Sequence, residues 1–549
     1  MRKLGLLLLF AVLAMALAAP VMAQEESPVD PVEAPENAWW NDRVFYEIFV
    51  RSFYDTNGDG IGDIRGIIEK LDYLNDGDPT TTDDLGITGI WLMPINPSPS
   101  YHGYDVTDYT AINPEYGTME DFRELLAEAE ARGIAIIIDL VVNHASVEHP
   151  WFVSSAQDPD GPYGDWFVWA EEDPGFRGPD SQVVWHPRDG RYYYGVFWSG
   201  MPDFNYDSPE ATQMMFDIAD FWLEDVGVAG FRLDAIKHIV EEGSIQENTL
   251  STRAWLADFR ANAVEANPDV LLVGEVWSSS TMAAPYTDTA VDIVFEFDLA
   301  ESILQAASFG VSSSVRNQMD TMLSLYPSNQ YATFLTNHDQ NRVMSQLRGD
   351  VNAAKAAASI YLTLPGVPFI YYGEEIGMTG TKPDPEIRTP MQWGDGSGPG
   401  VGFTVARPWA PVNPDWQDGV TVAAQTDDPD SLLNHYRDLV QLRNAVPALR
   451  RGDYTHVDGG QGSVFSFLRR TEDQTVLVVI NLRDRENENY TLSVENADLA
   501  PVTGASAIFG AAGDLPTPEI DSLGGFSDYR PLDVLPPLAT LVIELETAE

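Results

Sequence analysis

The chain has 549 residues, of which 85 are acidic and 31 are basic, giving a formal net charge of −54. This charge argues against a nucleic-acid-binding protein and against a protein that binds anionic membrane surfaces, because both need a positive surface. A hydrophobic content of 44% excludes global disorder, the length predicts two or three domains, and the lack of cysteine excludes disulfides.

The first residues predict a signal peptide. A basic start at Met1–Lys3 is followed by an apolar run, Leu4–Pro20, and by small residues that end at Ala23. We therefore predict a signal peptide at 1–23 and secretion, to the medium or the periplasm. The run is too short to span a membrane, and no other run approaches about 18 apolar residues. The Pro- and Glu-rich residues 24–38 are predicted to be a disordered linker.

Strand-like and helix-like segments then alternate along the chain. Helical periodicity is clear at Thr118–Arg132 and Pro209–Val226. Apolar runs without polar alternation are typical of parallel strands buried on both faces, so eight of them predict an α/β fold, a (β/α)₈ TIM barrel. A doubly wound open sheet is the alternative. The eight runs are Val44–Val50, Ile87–Met93, Ile134–Val142, Val228–Leu233, Val270–Val276, Ile293–Phe297, Tyr331–Leu335 and Pro368–Tyr372.

Two regions depart from this alternation. About 65 residues separate the third run from the helix at Pro209, too many for an ordinary loop, so residues 143–205 are predicted to form a small inserted domain. Its tryptophans are expected to be core residues more often than sugar platforms. The barrel then occupies 39–142 and 206–445, and residues 446–549 form an all-β sandwich. The strands predicted there are Val464–Leu468, Thr475–Ile480, Tyr490–Val494 and Thr540–Leu545.

The fourth barrel strand ends in a charged sequence. Arg232 lies in the apolar run, and Asp234 follows at its end. A nearby cation favours an ionised carboxylate, so Arg232 is expected to lower the pKa of Asp234. A fixed carboxylate at the C-terminal end of a parallel strand is suited to act as a nucleophile. A purely structural ion pair is the alternative.

Three other strand ends carry polar groups of the same kind. The third strand leads to Asn143 and His144, the fifth to Glu275, and the seventh to His338 and Asp339. Barrel enzymes build their active sites at this end of the strands. Together with Asp234 these residues provide three carboxylates, which is the chemistry that glycoside cleavage needs.

The four stretches Asp139–His144, Gly230–His238, Gly274–Trp277 and Phe334–Asp339 resemble, in order, the four motif regions of the α-amylase family of glycoside hydrolases, family 13. The likeness runs from about Trp39 to the C-terminus. It implies a retaining mechanism in which Asp234 is the nucleophile, Glu275 is the acid/base and Asp339 is the transition-state stabiliser. It also implies substrate contacts from His102, Tyr104, His144, Arg232, Lys237, His238 and His338.

Further motifs concern the place of the chain within that family. Met201–Asn205 is similar to a stretch found in neopullulanase-like and intermediary amylases, with Phe204 in place of Leu. Arg388–Trp393 and Phe403–Asn413 resemble the oligo-1,6-glucosidases instead. The mixture resembles the secreted intermediary α-amylases that lie between those two groups.

The resemblance predicts an endo-α-amylase that acts on starch-like glucans and maltooligosaccharides as a monomer. His102 and Tyr104 resemble residues of endo-acting amylases, and Ala235 favours α-1,4 bonds. The less favoured alternative for Tyr104 is a packed aromatic at the barrel rim. The alternatives are an exo-acting α-glucosidase or oligo-1,6-glucosidase, and a neopullulanase-like hydrolase for cyclodextrins and pullulan. A remote alternative is an inactive carbohydrate-binding protein.

A Ca²⁺ site is predicted in the loop after the first strand. Asp55, Asn57, Asp59 and Asp63 place oxygen ligands on alternate residues, with glycines that allow a tight turn. The family resemblance adds the backbone carbonyl of Ile61. A solvated turn without metal is the alternative. The family also suggests a second site at Asn143 and the carbonyl of His238, with acids from the inserted domain.

Overall fold

The computed structural model describes residues 38–547, apart from Asp395 and Ser397, and these residues belong to one compact unit, Val32–Glu549. The predicted signal peptide and all of the predicted linker except Ala38 lie outside the described residues. Within the described part of the chain, no helix combines the length and the apolar character that crossing a bilayer requires.

Strands are numbered along the described chain as β1 (Phe45–Ile48), β2 (Gly89–Leu92), β3 (Ala135–Leu140), β4 (Trp169–Ala170), β5 (Trp185–Arg188), β6 (Arg191–Tyr194), β7 (Gly230–Leu233), β8 (Leu271–Gly274), β9 (Ile293–Phe295), β10 (Tyr331–Thr333), β11 (Val367–Tyr371), β12 (Asp453–Val457), β13 (Val464–Arg470), β14 (Thr475–Asn481), β15 (Leu492–Val494), β16 (Val502–Phe509), β17 (Gly513–Asp514), β18 (Phe526–Tyr529) and β19 (Thr540–Thr547).

Helices are numbered in the same way as α1 (Val50–Phe53), α2 (Ile64–Glu69), α3 (Leu71–Leu74), α4 (Met119–Ala131), α5 (Pro150–Gln157), α6 (Pro209–Asp220), α7 (Leu250–Ala266), α8 (Ser280–Ala283), α9 (Phe297–Phe309), α10 (Ser313–Leu325), α11 (Val343–Gln346), α12 (Val351–Thr363), α13 (Asp384–Ile387), α14 (Val422–Gln425), α15 (Leu432–Ala445) and α16 (Pro447–Arg451).

Eight parallel strands close into a barrel in the order β1-β11-β10-β9-β8-β7-β3-β2. All eight predicted apolar runs supply one strand each, which confirms the TIM barrel over the open sheet. The runs are apolar throughout because both faces are buried. Phe45, Trp91, Ile137 and Phe369 belong to one core cluster, whereas neighbours such as Tyr46 pack in another.

Local sequence signals fix the helices around the barrel. α4 begins at Thr118, whose side chain accepts a hydrogen bond from the backbone N–H of Asp121, while Asp121 binds back to Thr118. This reciprocal capping satisfies two N–H groups that the first helical turn leaves free. α6 continues into a π-helical turn, Phe221–Val226, and ends at Gly227 in the left-handed conformation. The predicted helix at Pro209–Val226 is therefore present over its whole length.

The chain between β3 and α6 forms an inserted unit on the barrel. It contains α5 and a small antiparallel sheet in the order β4-β6-β5. Aromatic rings fill its interior, as where Phe152 stacks on Trp169 with centroids 5.5 Å apart. The inserted chain returns to the barrel through an antiparallel bridge between His144 and Asp203.

The C-terminal region is all-β. A six-stranded sheet, β12-β13-β14-β19-β16-β17, packs against the two-stranded sheet β15-β18 around a shared core. The opposite face of β13 and β14 packs into the main core, so these strands read as continuous apolar runs. Arg469 on β13 is fully buried and donates to the carbonyl of Thr363 at the end of α12 (2.9 Å). Four of the eight strands of this region, β12, β16, β17 and β18, carry too little apolar alternation to be predicted.

Candidate active site

Strand register brings the charged residues together at the carboxyl end of the barrel. Asp139 on β3 lies directly opposite Arg232 on β7, and Leu233 lies opposite Gly274 on β8. Because parallel strands end at the same edge, Asp234 and Glu275 emerge side by side. Both are buried to more than nine tenths.

A single guanidinium group binds three carboxyl groups. Nη1 of Arg232 donates to Oδ1 of Asp234 (2.7 Å) and to Oδ1 and Oδ2 of Asp139 (2.8 and 2.9 Å). Nη2 donates to Oε2 of Glu275 (2.8 Å). The Arg232 side chain is 0% exposed, so these bonds form in a dry environment where charge-assisted hydrogen bonds are strong. Arg232 therefore also forms the structural ion pair that the sequence left as the alternative, because the ion pairs that organise the site also hold the barrel end together.

The residue after Asp234 has an unusual backbone. Ala235 adopts the left-handed conformation, with φ 50° and ψ 36°. Residues other than glycine rarely adopt this conformation, and those that do are concentrated at functional sites. In this conformation the N–H of Ala235 donates to Oε2 of Glu275 (3.0 Å). The backbone turn therefore fixes the Glu275 carboxyl group beside Asp234.

The protonation of Asp234 differs from the prediction. Burial raises its pKa to about 8, because Glu275, Asp139 and Asp339 add to the effect and Arg232 offsets only part of it. The expected lowering by Arg232 exists but does not dominate, so the prediction of a lowered pKa is wrong. Three carboxylates around one guanidinium cannot all be ionised without strong repulsion. Burial and mutual repulsion therefore favour a state in which the cluster keeps a proton.

A second chain of charges lies on the other side of the cleft. Nδ1 of His338 donates to Oε1 of Glu47 (2.6 Å), and Nε2 lies 3.2 Å from Oδ2 of Asp339. Arg388 binds Oδ1 of Asp339 (2.7 Å). Burial alone lowers the pKa of His338, but Asp339 and Glu47 raise it to about 9. Although burial opposes it, His338 and Arg388 hold the pKa of Asp339 below its usual range, so Asp339 stays ionised.

Tyr104 connects the two charge groups. Its hydroxyl donates to Oδ2 of Asp139 (3.0 Å) and lies 2.6 Å from Nε2 of His338. The ring stacks on His338, with centroids 5.5 Å apart. Tyr104 is therefore a bonded member of the site and not merely a packed rim residue.

These groups line a cleft of about 640 Å³. Most of the residues predicted from the sequence reach it: His102, Tyr104, His144, Asp234, Lys237, His238, Glu275 and Asp339. Arg232 and His338 lie beneath the floor, fully buried, and act through their neighbours. Burial lowers the pKa of His144 to about 3, so this ring is neutral at ordinary pH.

Several residues of the site are absent from the sequence prediction. Arg388 and Asp384 reach the cleft from the region after β11, and Trp198 and Trp277 form exposed aromatic walls. Arg388 opens the Arg388–Trp393 motif, whose sequence indicates the place of the chain within the family and not a site residue. Glu47 could be recognised from the sequence, because a carboxylate inside an apolar strand needs a buried partner, just as Arg232 does.

Comparison with known proteins identifies the chain. Residues 47–452 match the alpha-amylase catalytic-domain family. The protein belongs to the α-amylase family. It is thus a glycoside hydrolase of family 13, as the four strand-end motifs predicted.

The relatives carry more than one specificity. Alpha-amylase 3 of Dictyoglomus thermophilum is 40% identical over 474 residues, covering 85% of this chain and 90% of the relative. The oligo-1,6-glucosidase of Parageobacillus thermoglucosidasius is 31% identical, covering 82% and 91%. The solved alpha-amylase from H. orenii is 43% identical with a TM-score of 0.78, covering 92% of this chain and 99% of that structure.

The loop predicted to bind calcium is closed by its own backbone. Oδ1 of Asp55 accepts from the N–H of Gly58 (2.7 Å), and Oδ2 accepts from the N–H of Gly60 (2.8 Å). Asp63 accepts from the N–H groups of Thr56 (2.9 Å) and Gly66 (2.7 Å). The hydroxyl of Thr404 also donates to Oδ2 of Asp55, and the hydroxyl of Thr56 donates to both oxygens of Asp63, so the chain's own donors satisfy most of these carboxylate oxygens.

Asn57 and Asp59 lie on the same loop with weaker constraints. Oδ1 of Asn57 accepts a hydrogen bond from the N–H of Asp59 (2.9 Å), and Oδ1 of Asp59 accepts one from the N–H of Ile61 (2.8 Å). Gly60 has φ +93°, and a Cβ there would lie 2.1 Å from the carbonyl oxygen of Arg407. The loop therefore also docks the Phe403–Asn413 segment, whether or not it holds a metal.

The second predicted cation position has buried oxygens without donors. The N–H of Phe204 donates to the carbonyl of Asn143 (3.0 Å), which places Asn143 beside Asp203. Oδ1 of Asn143 and Oδ2 of Asp203 are buried and lack hydrogen-bond partners among the described residues. Burial, with Glu241 nearby, raises the pKa of Asp203 well above its usual range. Such oxygens fit a cation.

Neither position is a cluster of acidic or imidazole ligands. In the part of the chain that the structure describes, no three His, Cys, Asp or Glu side chains are grouped as metal ligands. A cation at either position would therefore depend on backbone carbonyl and amide oxygens, such as those of Ile61, His238 and Asn143.

The His338 ring predicts a pH dependence of stability. Its pKa is about 9 in the folded protein and about 6.5 in the unfolded chain, so its full stabilisation is present below about pH 6.5 and is lost as the pH rises through about 9. We expect this ring to remove on the order of 3 kcal/mol of unfolding free energy across that window. Urea unfolding at pH 6.5, 8 and 9.5 measures the slope.

His338→Gln and Glu47→Gln should both flatten that slope, since the first removes the titrating ring and the second removes one of its partners. His435→Gln is the matched control, because burial lowers the pKa of His435 to about 4, outside the window. Equal slopes in wild type and both site variants would contradict the assignment.

Proposed function

We propose that the protein is a retaining endo-α-amylase that hydrolyses internal α-1,4-glucosidic bonds of starch-like glucans and maltooligosaccharides. The observation that carries the proposal is the shared guanidinium of Arg232, which holds the carboxyl groups of Asp234 and Glu275 on adjacent nitrogens at the cleft floor. Retaining enzymes need their two carboxyl groups close together, about 5–5.5 Å apart.

The geometry supports a double displacement. The reacting form has the proton of the carboxyl cluster on Glu275 and leaves Asp234 ionised. A carboxylate oxygen of Asp234 then bonds to the anomeric carbon while the bond to the leaving oxygen breaks, and Glu275 gives its proton to that oxygen. A water then attacks the anomeric carbon, its proton passes to Glu275, and the ester bond to Asp234 breaks. Asp339, kept ionised by His338 and Arg388, stabilises the positive charge that develops on the sugar.

Endo-action on α-1,4 bonds rests on three supporting observations. The cleft is flanked by aromatic side chains, among them Trp198 (48% exposed) and Trp277 (46% exposed), which can stack on sugars along a chain. His102 and Tyr104, which resemble residues of endo-acting amylases, both line it. The relatives from D. thermophilum and H. orenii, both named alpha-amylases, share 40% and 43% identity with this chain.

The second candidate is an exo-acting α-glucosidase or oligo-1,6-glucosidase. It is favoured by the Arg388–Trp393 motif, whose Arg388 binds Asp339, and by the oligo-1,6-glucosidase relative at 31% identity. The neopullulanase-like reading rests on Met201–Asn205. An inactive sugar-binding protein is disfavoured because all three carboxylates are present around one cleft.

The product ladder from soluble starch tests the proposed specificity. We expect iodine staining to fall early while maltooligosaccharides of several lengths accumulate, because internal cleavage shortens chains quickly. Thin-layer or anion-exchange chromatography of the products measures this, with maltotriose and pullulan as further substrates. Early release of glucose alone, with iodine staining unchanged, would identify the exo-acting alternative.

The nucleophile is tested by Asp234→Asn. Loss of covalent catalysis should lower kcat by at least about 10³-fold, while maltooligosaccharide still binds. Isothermal titration calorimetry and single-turnover kinetics separate the two effects. Asp189→Asn, an exposed carboxylate in the inserted unit, is the control and should keep wild-type activity. Full activity in Asp234→Asn would refute the assignment.

We also propose that Ca²⁺ binds the folded protein at the Asp55–Asp63 loop and at Asn143. A ligand that binds only the folded state raises Tm, so chelation should lower it. Elemental analysis of the purified protein and melting curves with and without EDTA measure both effects. No bound calcium together with an unchanged Tm would rule out both sites. If calcium is bound, its content in Asp59→Asn, compared with that in Asp189→Asn, separates the loop from the second position.

Secretion and a monomeric state remain part of the proposal. N-terminal sequencing of the protein from the medium or the periplasm should show that the mature chain begins after Ala23.

A further inference from the structure

A second groove, here called the α9 groove, lies next to the catalytic cleft. Its volume is about 530 Å³. Phe297, Glu301, Gln305 and Phe309 form one wall. They are spaced four residues apart on α9, so they occupy one face of that helix. From Phe297 to Phe309 the wall is roughly 18 Å long, at about 1.5 Å per residue.

The opposite wall comes from the chain after β10. Gln340, Gln346 and Leu347 face α9 across the groove. Oε1 of Gln340 is shielded from solvent and has no hydrogen-bond partner among the described residues. A buried acceptor of this kind is costly unless a donor from outside the chain reaches it. A sugar hydroxyl is such a donor.

The two cavities share one wall. Trp277 lines both the catalytic cleft and the α9 groove. Its ring stacks on Phe297 with centroids 4.9 Å apart and planes 8° from parallel, and Lys237 donates to its backbone carbonyl (3.1 Å). Trp277 is therefore a fixed surface, and a chain that crosses it passes from one cavity into the other.

The proposed role of Glu275 indicates which end of the substrate crosses Trp277. Trp277 lies two residues after Glu275, the group assigned to protonate the leaving oxygen. Since the acid/base stands beside the leaving oxygen in the proposed mechanism, the neighbouring α9 groove is assigned to the leaving-group side of the scissile bond. At the far end of α9, Phe309 is 74% exposed, so an aromatic ring stands at each end of this wall.

We propose that the α9 groove binds the leaving-group portion of a long α-glucan chain as it leaves the catalytic cleft across Trp277. Its walls have the composition that carbohydrate needs: aromatic faces for the apolar faces of the sugars, and amide and carboxylate groups for the hydroxyls. The groove makes the enzyme favour long chains over short ones. This inference rests on the proposed endo-amylase function and names its preferred substrate.

The test compares kcat/KM on maltotriose, maltoheptaose and soluble amylose for three full-length variants. Phe309→Ala alters the α9 wall and Gln346→Ala alters the opposite wall. Leu323→Ala, on α10 and outside the groove, removes another exposed apolar side chain (51%) as the control. Aromatic contacts are worth about 0.5–1.5 kcal/mol, so Phe309→Ala should lower the amylose-to-maltotriose ratio of kcat/KM by about two- to tenfold.

The expected pattern is a reduced ratio in Phe309→Ala and Gln346→Ala and an unchanged ratio in Leu323→Ala. Wild-type ratios in both groove variants would overturn the groove proposal while leaving the amylase function intact. An equal loss on all three substrates would also overturn it, since that result indicates a structural role. A wild-type enzyme that hydrolyses none of the three would overturn the proposed function itself.

Discussion

The guanidinium group of Arg232 is the interaction on which the site depends. It is fully buried and binds carboxyl groups from three consecutive barrel strands, β3, β7 and β8. An isolated charge at this depth would be very costly, and removing one partner of a buried pair typically destabilises a protein by about 3–5 kcal/mol. The same contacts fix the carboxyl groups of Asp234 and Glu275, so the stability of the barrel end and the geometry of the cleft rely on one side chain.

Charge is balanced across the cleft by two separate groups. On one side Arg232 serves Asp139, Asp234 and Glu275; on the other His338 and Arg388 serve Glu47 and Asp339. The first group has more carboxylates than cations and keeps a proton, which suits acid catalysis. The second has enough cation to keep Asp339 ionised. Tyr104 bonds to both groups and fixes the distance between them.

The additions to the barrel serve the same cleft. The inserted unit supplies Phe197 and Trp198 to its rim, and its return to the barrel creates the donor-free oxygens of Asn143 and Asp203. The region after β11 supplies Arg388. The C-terminal sheet lies against the barrel, where Arg469 donates to the carbonyl of Thr363 at the end of α12. Asp234, Glu275 and Asp339 all follow barrel strands, and the other parts shape the cleft and brace the barrel.

The sequence by itself determined the barrel, the inserted segment, the all-β C-terminal region and the three carboxylates, Asp234, Glu275 and Asp339, that line one cleft. It could do so because strands buried on both faces are apolar throughout, and because each of these carboxylates lies within a few residues of the end of a strand. Tertiary structure alone decided the protonation of Asp234 and the partners of His338. Glu47 is 291 residues away from His338, and burial, which outweighs Arg232 at Asp234, is a property of the assembled barrel. The α9 groove likewise exists only where α9 and the chain after β10 meet.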